Sequence, residues 1–185
     1  MKFRPGLVLD VREFGCKKVV FRFPKTSDAP SAMRYINAIV GEKARILMTK
    51  RITLSGENKW LKNVIASMKA GTLLNIFAVC DGEIFCVAGL DRHGANSADR
   101  HVAGYHIAIS KEFRGLGLAT YISKLVFGLA KKGWKTKVLR SSYIADNVKS
   151  AALHKRLGFK VIGRIPKATK YGNKYIDEVL CYRKI

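Results

Sequence analysis

The chain has 185 residues, 48% of them hydrophobic, which is enough to bury one full core and too short for two ordinary domains. Its 35 Lys and Arg against 13 Asp and Glu give a formal net charge of +22, which favours polyanionic partners, with a merely solvated basic surface as the bland alternative. The best apolar run, Leu73 to Cys80, is far below the roughly eighteen residues a bilayer span needs, so no membrane partner is expected.

The basic charge is uneven. Residues 111 to 185 hold 18 Lys and Arg against four acids, and residues 1 to 110 hold 17 against nine. Met1 to Phe14 carries charges throughout and lacks an apolar signal core, so a cytoplasmic location is expected. Cys16, Cys80, Cys86 and Cys181 form no C-x-x-C pair; they are expected to be reduced and mostly packed, with neither a disulfide framework nor a zinc site.

In chain order, Leu7 to Val11 and Lys18 to Phe23 flank a turn signal at Gly15 and predict a hairpin that Pro24 ends. Cap-like Asp28 and Ser31 around Pro30 precede Met33, Ile36, Ile39 and Val40 at helical spacing, so a first helix should reach about Gly41. A second should start near Ser55, carry Trp60, Leu61, Val64, Ile65 and Met68 on one stripe, and close at Gly71. Leu73 to Cys80 and Ile84 to Leu90 flank Asp81-Gly82, a pair suited to the positive φ angles of a tight hairpin turn. Asp91 to Arg100 reads as a loop and Val102 to Ser110 as a strand. Then come a helix at Leu116 to Lys132, a strand at Lys137 to Ile144, a helix at Val148 to Leu157, and strands at Phe159 to Arg164 and Lys174 to Tyr182.

The strand-to-helix junction Phe113-Arg114-Gly115-Leu116-Gly117-Leu118-Ala119-Thr120 stands out chemically. Free N–H groups and the positive end of a helix meet there, which suits a phosphate. Glycines at 115 and 117 let the main chain approach an anion, Ala119 keeps the first turn open, Thr120 offers a hydroxyl and Arg114 a charge. Glycines before a helix also simply turn corners, and neither a Walker pattern nor a dinucleotide G-x-G-x-x-G pattern is present.

Arg114-x-x-Gly117-x-Ala119 fits the R/Q-x-x-G-x-G/A pattern of the GNAT N-acetyltransferase superfamily. Downstream, Asn147-Val-Lys-Ser150-Ala-Ala-Leu153-His154-Lys-Arg-Leu157-Gly158-Phe159 resembles that family's N-x-x-[SA]-x-x-L-Y-x-x-x-G-F segment. Phe21 to Asp28 and Tyr175 to Glu178 resemble its opening and closing strands. The resemblance implies one N-acetyltransferase domain over residues 1–185, with an N-terminal hairpin at 1–24 and an acetyl-CoA-binding core at 102–164. It implies an α/β fold with a central, mostly antiparallel sheet of six or seven strands and about four helices. The sheet would be splayed between its fourth and fifth core strands, Val102 to Ser110 and Lys137 to Ile144. It also implies that N–H groups of Leu116, Gly117, Leu118, Ala119 and Thr120 hold the pyrophosphate of acetyl-CoA, and that main-chain groups of Ile107, Ala108 and Ile109 pair with the pantetheine arm. The amine would enter from the opposite side.

Asn147, Ser150, Ala151 and His154 share one helical stripe beside the apolar Leu153 and Leu157. By residue type, Ser150 and Ala151 leave room for a thin chain and Asn147 offers a hydrogen bond, while an ordinary amphipathic helix with Asn147 as cap is the plain alternative. His154 stands where the family usually has a tyrosine that protonates the departing thiolate. Histidine can do that job, water can as well, and burial suppresses its pKa. No general base is evident: Asp177 and Glu178 point to opposite faces of the last strand, and His106, on the face opposite Tyr105 and Ile107, is a lesser candidate. His93, His101 and His106 match no metal-ligand spacing, so no metal is expected.

The expected chemistry is direct attack of a neutral primary amine on acetyl-CoA, without an acetyl-cysteine. The preferred acceptor is a protein amine, found through ribosome or nucleoprotein association of the basic surface. A small-molecule amine (amino acid, polyamine or antibiotic) is the runner-up, and a nucleic-acid-binding module that keeps only the fold is the reading from another class. Both monomer and homodimer stay open.

Overall fold

The computed structural model describes residues 3–185 apart from Cys16, Lys43 and Ala95, so the expectation for Cys16 lies outside the described residues. The elements are β1 (Val8–Phe14), β2 (Lys17–Arg22), α1 (Ala29–Gly41), α2 (Leu54–Ala70), β3 (Leu73–Cys80), β4 (Glu83–Asp91), β5 (Val102–Ile109), α3 (Leu118–Trp134), β6 (Val138–Ile144), α4 (Val148–Arg156), β7 (Lys160–Tyr171) and β8 (Lys174–Lys184). They build one eight-stranded sheet in the order β1-β2-β3-β4-β5-β6-β8-β7. Every neighbouring pair is antiparallel except β5 with β6.

Local chemistry accounts for most boundaries. The β3–β4 turn holds Asp81 at φ 49° and Gly82 at φ 79°, the left-handed pair anticipated there. Thr53 caps α2 by accepting from the Gly56 N–H, and Gly71 ends that helix at φ 74°, a glycine C-terminus. Helix α3 begins at Leu118 rather than Leu116, because Gly115 and Gly117 sit at φ 85° and 78°, outside helical space.

The sheet has eight strands, more than the six or seven expected. The strand anticipated to stop at Arg164 instead continues as β7 to Tyr171. Pro166 makes an end near Arg164 plausible from sequence. The structure absorbs the proline in a register shift between Ile165 and Thr169, with Lys167 at φ 54° and its N–H donated to Asp177 Oδ1 at 3.0 Å. Such a bulge lets pairing resume beyond it.

One core fills each face. On one side α3 supplies Leu118, Ile122, Val126 and Phe127 against Ile76, Ala88, Leu90 and Tyr105. On the other, Tyr35 and Ile39 of α1 and Leu61 and Ile65 of α2 pack on Phe77, Val79 and Ile84. The two middle strands then part. β5 and β6 are paired only at Val102–Val138, Ala103–Leu139 and Gly104–Arg140. Beyond Gly104 they diverge, so Tyr105 to Ile109 has a strand neighbour on the β4 side alone.

A buried ion pair fixes the approach to α1: both Arg22 guanidinium ends donate to the Asp28 carboxylate, at 2.7 and 2.6 Å, and both residues are buried. Removing one partner strands the other charge, which costs about 3–5 kcal/mol. Asp28→Ala should therefore lower the unfolding free energy by roughly that amount in urea denaturation, with the fold retained. A change below about 1 kcal/mol would show that solvent reaches the pair.

Candidate functional site

The parted strands leave backbone groups open. Ser110 donates its N–H to Phe85 on the β4 side at 2.9 Å. Antiparallel alternation then turns the main-chain groups of Ala108 toward β4 and those of Tyr105, Ile107 and Ile109 toward the gap. Two carbonyls on that edge have partners: Tyr105 O accepts from Ser141 Oγ at 3.0 Å and Ile109 O from Arg114 Nε at 2.9 Å. Of the three residues singled out on this strand, Ile107 and Ile109 present main-chain groups to the gap. Ala108 faces β4, and its carbonyl also accepts from Tyr35 Oη at 2.8 Å.

At the end of this edge lies the elbow from Arg114 to Thr120. The N–H groups of Gly115 through Thr120 make no hydrogen bond to any described residue, and Gly117 at the head of α3 brings no side-chain cap. A Cβ built on Gly115 or Gly117 would meet nothing within 4 Å, so the concave side is open. Thr120 Oγ1 is buried and has no partner among the described residues, an orphaned hydroxyl beside orphaned amides. Together these donors form a cradle for an anionic group. Arg114 is engaged elsewhere: besides Ile109 O, it pairs with Glu42 Oε2 at 2.7 Å, while Glu42 Oε1 accepts from the Lys111 N–H at 3.2 Å. The arginine thus ties the elbow to the C-terminal end of α1, a contact that sequence spacing could not show.

Helix α4 covers the other wall. Asn147 is its cap and accepts from the Ser150 N–H at 3.0 Å, while Ser150 and Ala151 are half-buried. His154 is buried, ringed by Tyr105, Tyr143 and Phe159. Its Nδ1 lies 2.8 Å from the Ser150 carbonyl, and its Nε2 2.9 Å from Ser141 Oγ. A carbonyl can only accept, so Nδ1 carries a proton. Ser141 Oγ lies between the bare His154 Nε2 and the Tyr105 carbonyl at the point where the strands part, and its single hydrogen serves one of the two acceptors at a time. Burial lowers the His154 pKa below its ordinary value, opposed by the Ser150 carbonyl.

The opposite face of the same gap holds a second polar group. Ser142 Oγ donates to Glu178 Oε1 at 2.5 Å, and Glu178 has no cation within ion-pair distance among the described residues. Asp177 is taken up by Arg164 at 3.7 Å and by the Lys167 N–H. Cys80, Cys86 and Cys181 are buried thiols. Burial pushes all three pKa values up, that of Cys181 to about 11, which disfavours thiolate nucleophiles. No group of three or more His, Cys, Asp or Glu among the described residues is placed to hold a metal ion, and no described helix is long and apolar enough to cross a membrane. Two cavities, about 330 Å³ beside Arg22, Ser31 and Glu83 and about 300 Å³ between Phe23, Met68 and Trp134, are lined by residues outside the gap.

Residues 18–160 match the family model of the acetyltransferase (GNAT) domain. The chain belongs to the GNAT acetyltransferase family. No curated protein matches the sequence significantly. Among solved GNAT-fold structures, the ribosomal-protein-S5-alanine acetyltransferase from Vibrio fischeri is similar at a TM-score of 0.80 and 20% identity, over 95% of this chain and 96% of that one. RimL, a ribosomal L7/L12 alpha-N-protein acetyltransferase in complex with coenzyme A, is similar at 0.78 and 16%, over 95% and 98%. The microcin C7 self-immunity acetyltransferase MccE, in complex with acetyl-CoA and AMP, follows at 0.74 and 20%, over 90% and 92%. At these identities the likeness speaks for the GNAT fold.

The His154 environment of this GNAT domain yields a stability test. Its folded-state pKa lies below the 6.5 of a free histidine, so the unfolded chain binds the proton more readily. The contribution is present above that value and lost as pH falls through the depressed one. Melting temperatures from pH 7.5 to 5 should fall more steeply for the wild type than for His154→Gln. Equal slopes would mean that the imidazole is not held neutral.

Proposed function

We propose that the protein is an acetyl-CoA-dependent N-acetyltransferase acting through one domain over residues 1–185, and that it transfers the acetyl group to a primary amine by direct attack. The observation that carries this reading is the uncapped run of N–H groups at Gly115 to Thr120, with the orphaned Thr120 hydroxyl, at the end of an open strand edge. These donors suit the diphosphate of acetyl-CoA, and the open main-chain groups of Ile107 and Ile109 suit the amides of its pantetheine arm. Acetyl-CoA supplies the activated acyl group; everything else falls to the chain. Arg114 holds the elbow in shape through Glu42, Ala108 stiffens β5 against β4, and the half-buried Ser150 and Ala151 leave a narrow wall. Asn147 sets the start of α4. An N–H on the gap edge of β5 polarises the acetyl carbonyl, and the departing thiolate takes a proton through Ser141 when His154 is protonated at Nε2 to replace it, and from water otherwise.

A protein amine is the acceptor we favour. The exposed Lys167, Lys170 and Lys174 lie on the β7–β8 ribbon, which is tied to the loop between α1 and α2 by the Tyr171 hydroxyl donating to the Ile46 carbonyl. A net charge of +22 suits a ribosomal or nucleoprotein surface and repels cationic polyamines. Two of the structural neighbours named above are ribosomal-protein acetyltransferases. MccE, with AMP bound, supports the small-molecule alternative.

Titration calorimetry with acetyl-CoA should show saturable binding that Gly117→Glu abolishes, because a carboxylate then occupies the cradle. Equal affinity in that variant would refute the placement. In cell extract supplied with labelled acetyl-CoA, label should appear in macromolecules; label confined to dialysable products would establish the small-molecule alternative.

A further inference from the structure

A row of three residues crosses the sheet on the face covered by α1 and α2. Asn75 of β3 pairs with Gly89 of β4, which pairs with His106 of β5. Their neighbours two residues along, Phe77, Val87 and Ala108, belong to the core under α1 and α2, and alternation places Asn75 and His106 on that same face. Asn75 is buried to 2% exposure, and its Oδ1 lies 2.9 Å from His106 Nε2. Gly89 makes the contact possible. A Cβ there would stand 1.9 Å from Asn75 Oδ1, 2.5 Å from the Leu74 carbonyl and 2.7 Å from His106 Nε2. The glycine is at an ordinary strand position with no positive φ, so it is the side-chain bridge passing over it that excludes a larger residue.

The bridge has a chemical consequence. An amide oxygen can only accept, so Nε2 carries the proton and Nδ1 keeps its lone pair. His106 is exposed and lies two residues beyond Gly104, the last residue of β5 paired with β6. Continuing the parallel register across the gap sets His106 against Ser142, the hydroxyl that holds Glu178. The two walls of the gap thus each carry an ionisable residue on the face opposite His154, His106 on one and, through Ser142, Glu178 on the other.

We propose that His106 is the general base of the transfer reaction, taking the proton of the incoming ammonium on Nδ1 directly or through one water, and that Asn75 is its positioning residue. The proposal rests on the N-acetyltransferase reading and adds the group that makes the acceptor nucleophilic. One N–H bond of the ammonium breaks and its proton goes to Nδ1; the freed nitrogen lone pair forms the amide C–N bond as the C–S bond breaks. The second proton leaves the nitrogen as the amide forms and balances the one taken up by the thiolate. The surroundings suit a base at neutral pH. Protein around the ring lowers the pKa of His106, opposed by the Asp91 carboxylate. Asp91 lies on β4, with its Oδ1 2.7 Å from a Cβ built on Gly104. Other ionisable groups turned to this face include Arg140 on β6, Glu178 and Tyr182 on β8 and Lys160 on β7, Tyr35 in the buried row of α1, and Glu57 in that of α2.

The test combines kinetics, calorimetry and nitrogen-15 NMR on the full chain. With the best acceptor of an amine panel, His106→Gln should lose about a hundredfold or more in kcat/KM together with the acid limb of the pH profile, while acetyl-CoA affinity stays unchanged. Asn75→Leu should lower kcat/KM and alter that limb, and Asn75→Gln should restore part of the loss. NMR needs no acceptor: the His106 ring should show a proton on Nε2 and a bare Nδ1 in the wild type. An Nδ1 proton, or an unchanged pH profile in His106→Gln, would overturn the proposal. Loss of acetyl-CoA binding by the wild type would instead strike at the cradle, which separates the two failures.

Discussion

Everything at this site follows from three residue pairs of parallel sheet. Val102, Ala103 and Gly104 hold β5 to β6, and past Gly104 no main-chain pair does among the described residues. A parallel pair normally continues for the length of both strands, because an open edge in the middle of a sheet leaves N–H and C=O groups without partners. Here flanking structure keeps the strands apart. β5 is locked to β4 through the Ser110 N–H, and β6 is paired along its length with β8. α4 sits over the gap, with His154 and Ser141 joining its two walls.

The parted strands create two chemically different faces. On the α3 and α4 side, a buried imidazole contacts the edge through a serine hydroxyl, among aromatic rings. On the α1 and α2 side lie the His106 imidazole, held by Asn75, and the Glu178 carboxylate, held by Ser142. An acyl donor laid along the strand edge and an amine arriving from the α1 and α2 side would meet where the strands part, each with proton-handling groups on its own side. Under the proposed function, the elbow at Gly115 to Thr120 would anchor the donor through residues separate from those at the point of acetyl transfer.

Local features were legible in the sequence and non-local ones were not. The two hairpins, the four helices and the glycine elbow announce themselves through periodicity, Asp81-Gly82, and Gly115 with Gly117. The length of β7 was not legible, because whether a proline such as Pro166 ends a strand or is absorbed in a bulge depends on the partner strand. The engagement of Arg114 by Glu42 joins positions far apart in the chain, as does the reach of Asn75 over Gly89 to His106. For His154, spacing gave the stripe but not the depth. The aromatic cage that buries it comes from β5, β6 and Phe159 just before β7, which no helical pattern in α4 encodes.

The most direct test of the central claim is amide hydrogen exchange with and without acetyl-CoA. The elbow amides from Gly115 to Thr120 and those of Ile107 and Ile109 should exchange freely alone and become protected together on binding, with little change in β1 or β2. Protection that appears elsewhere while these amides stay unchanged would mean that the gap between β5 and β6 is not where the donor lies.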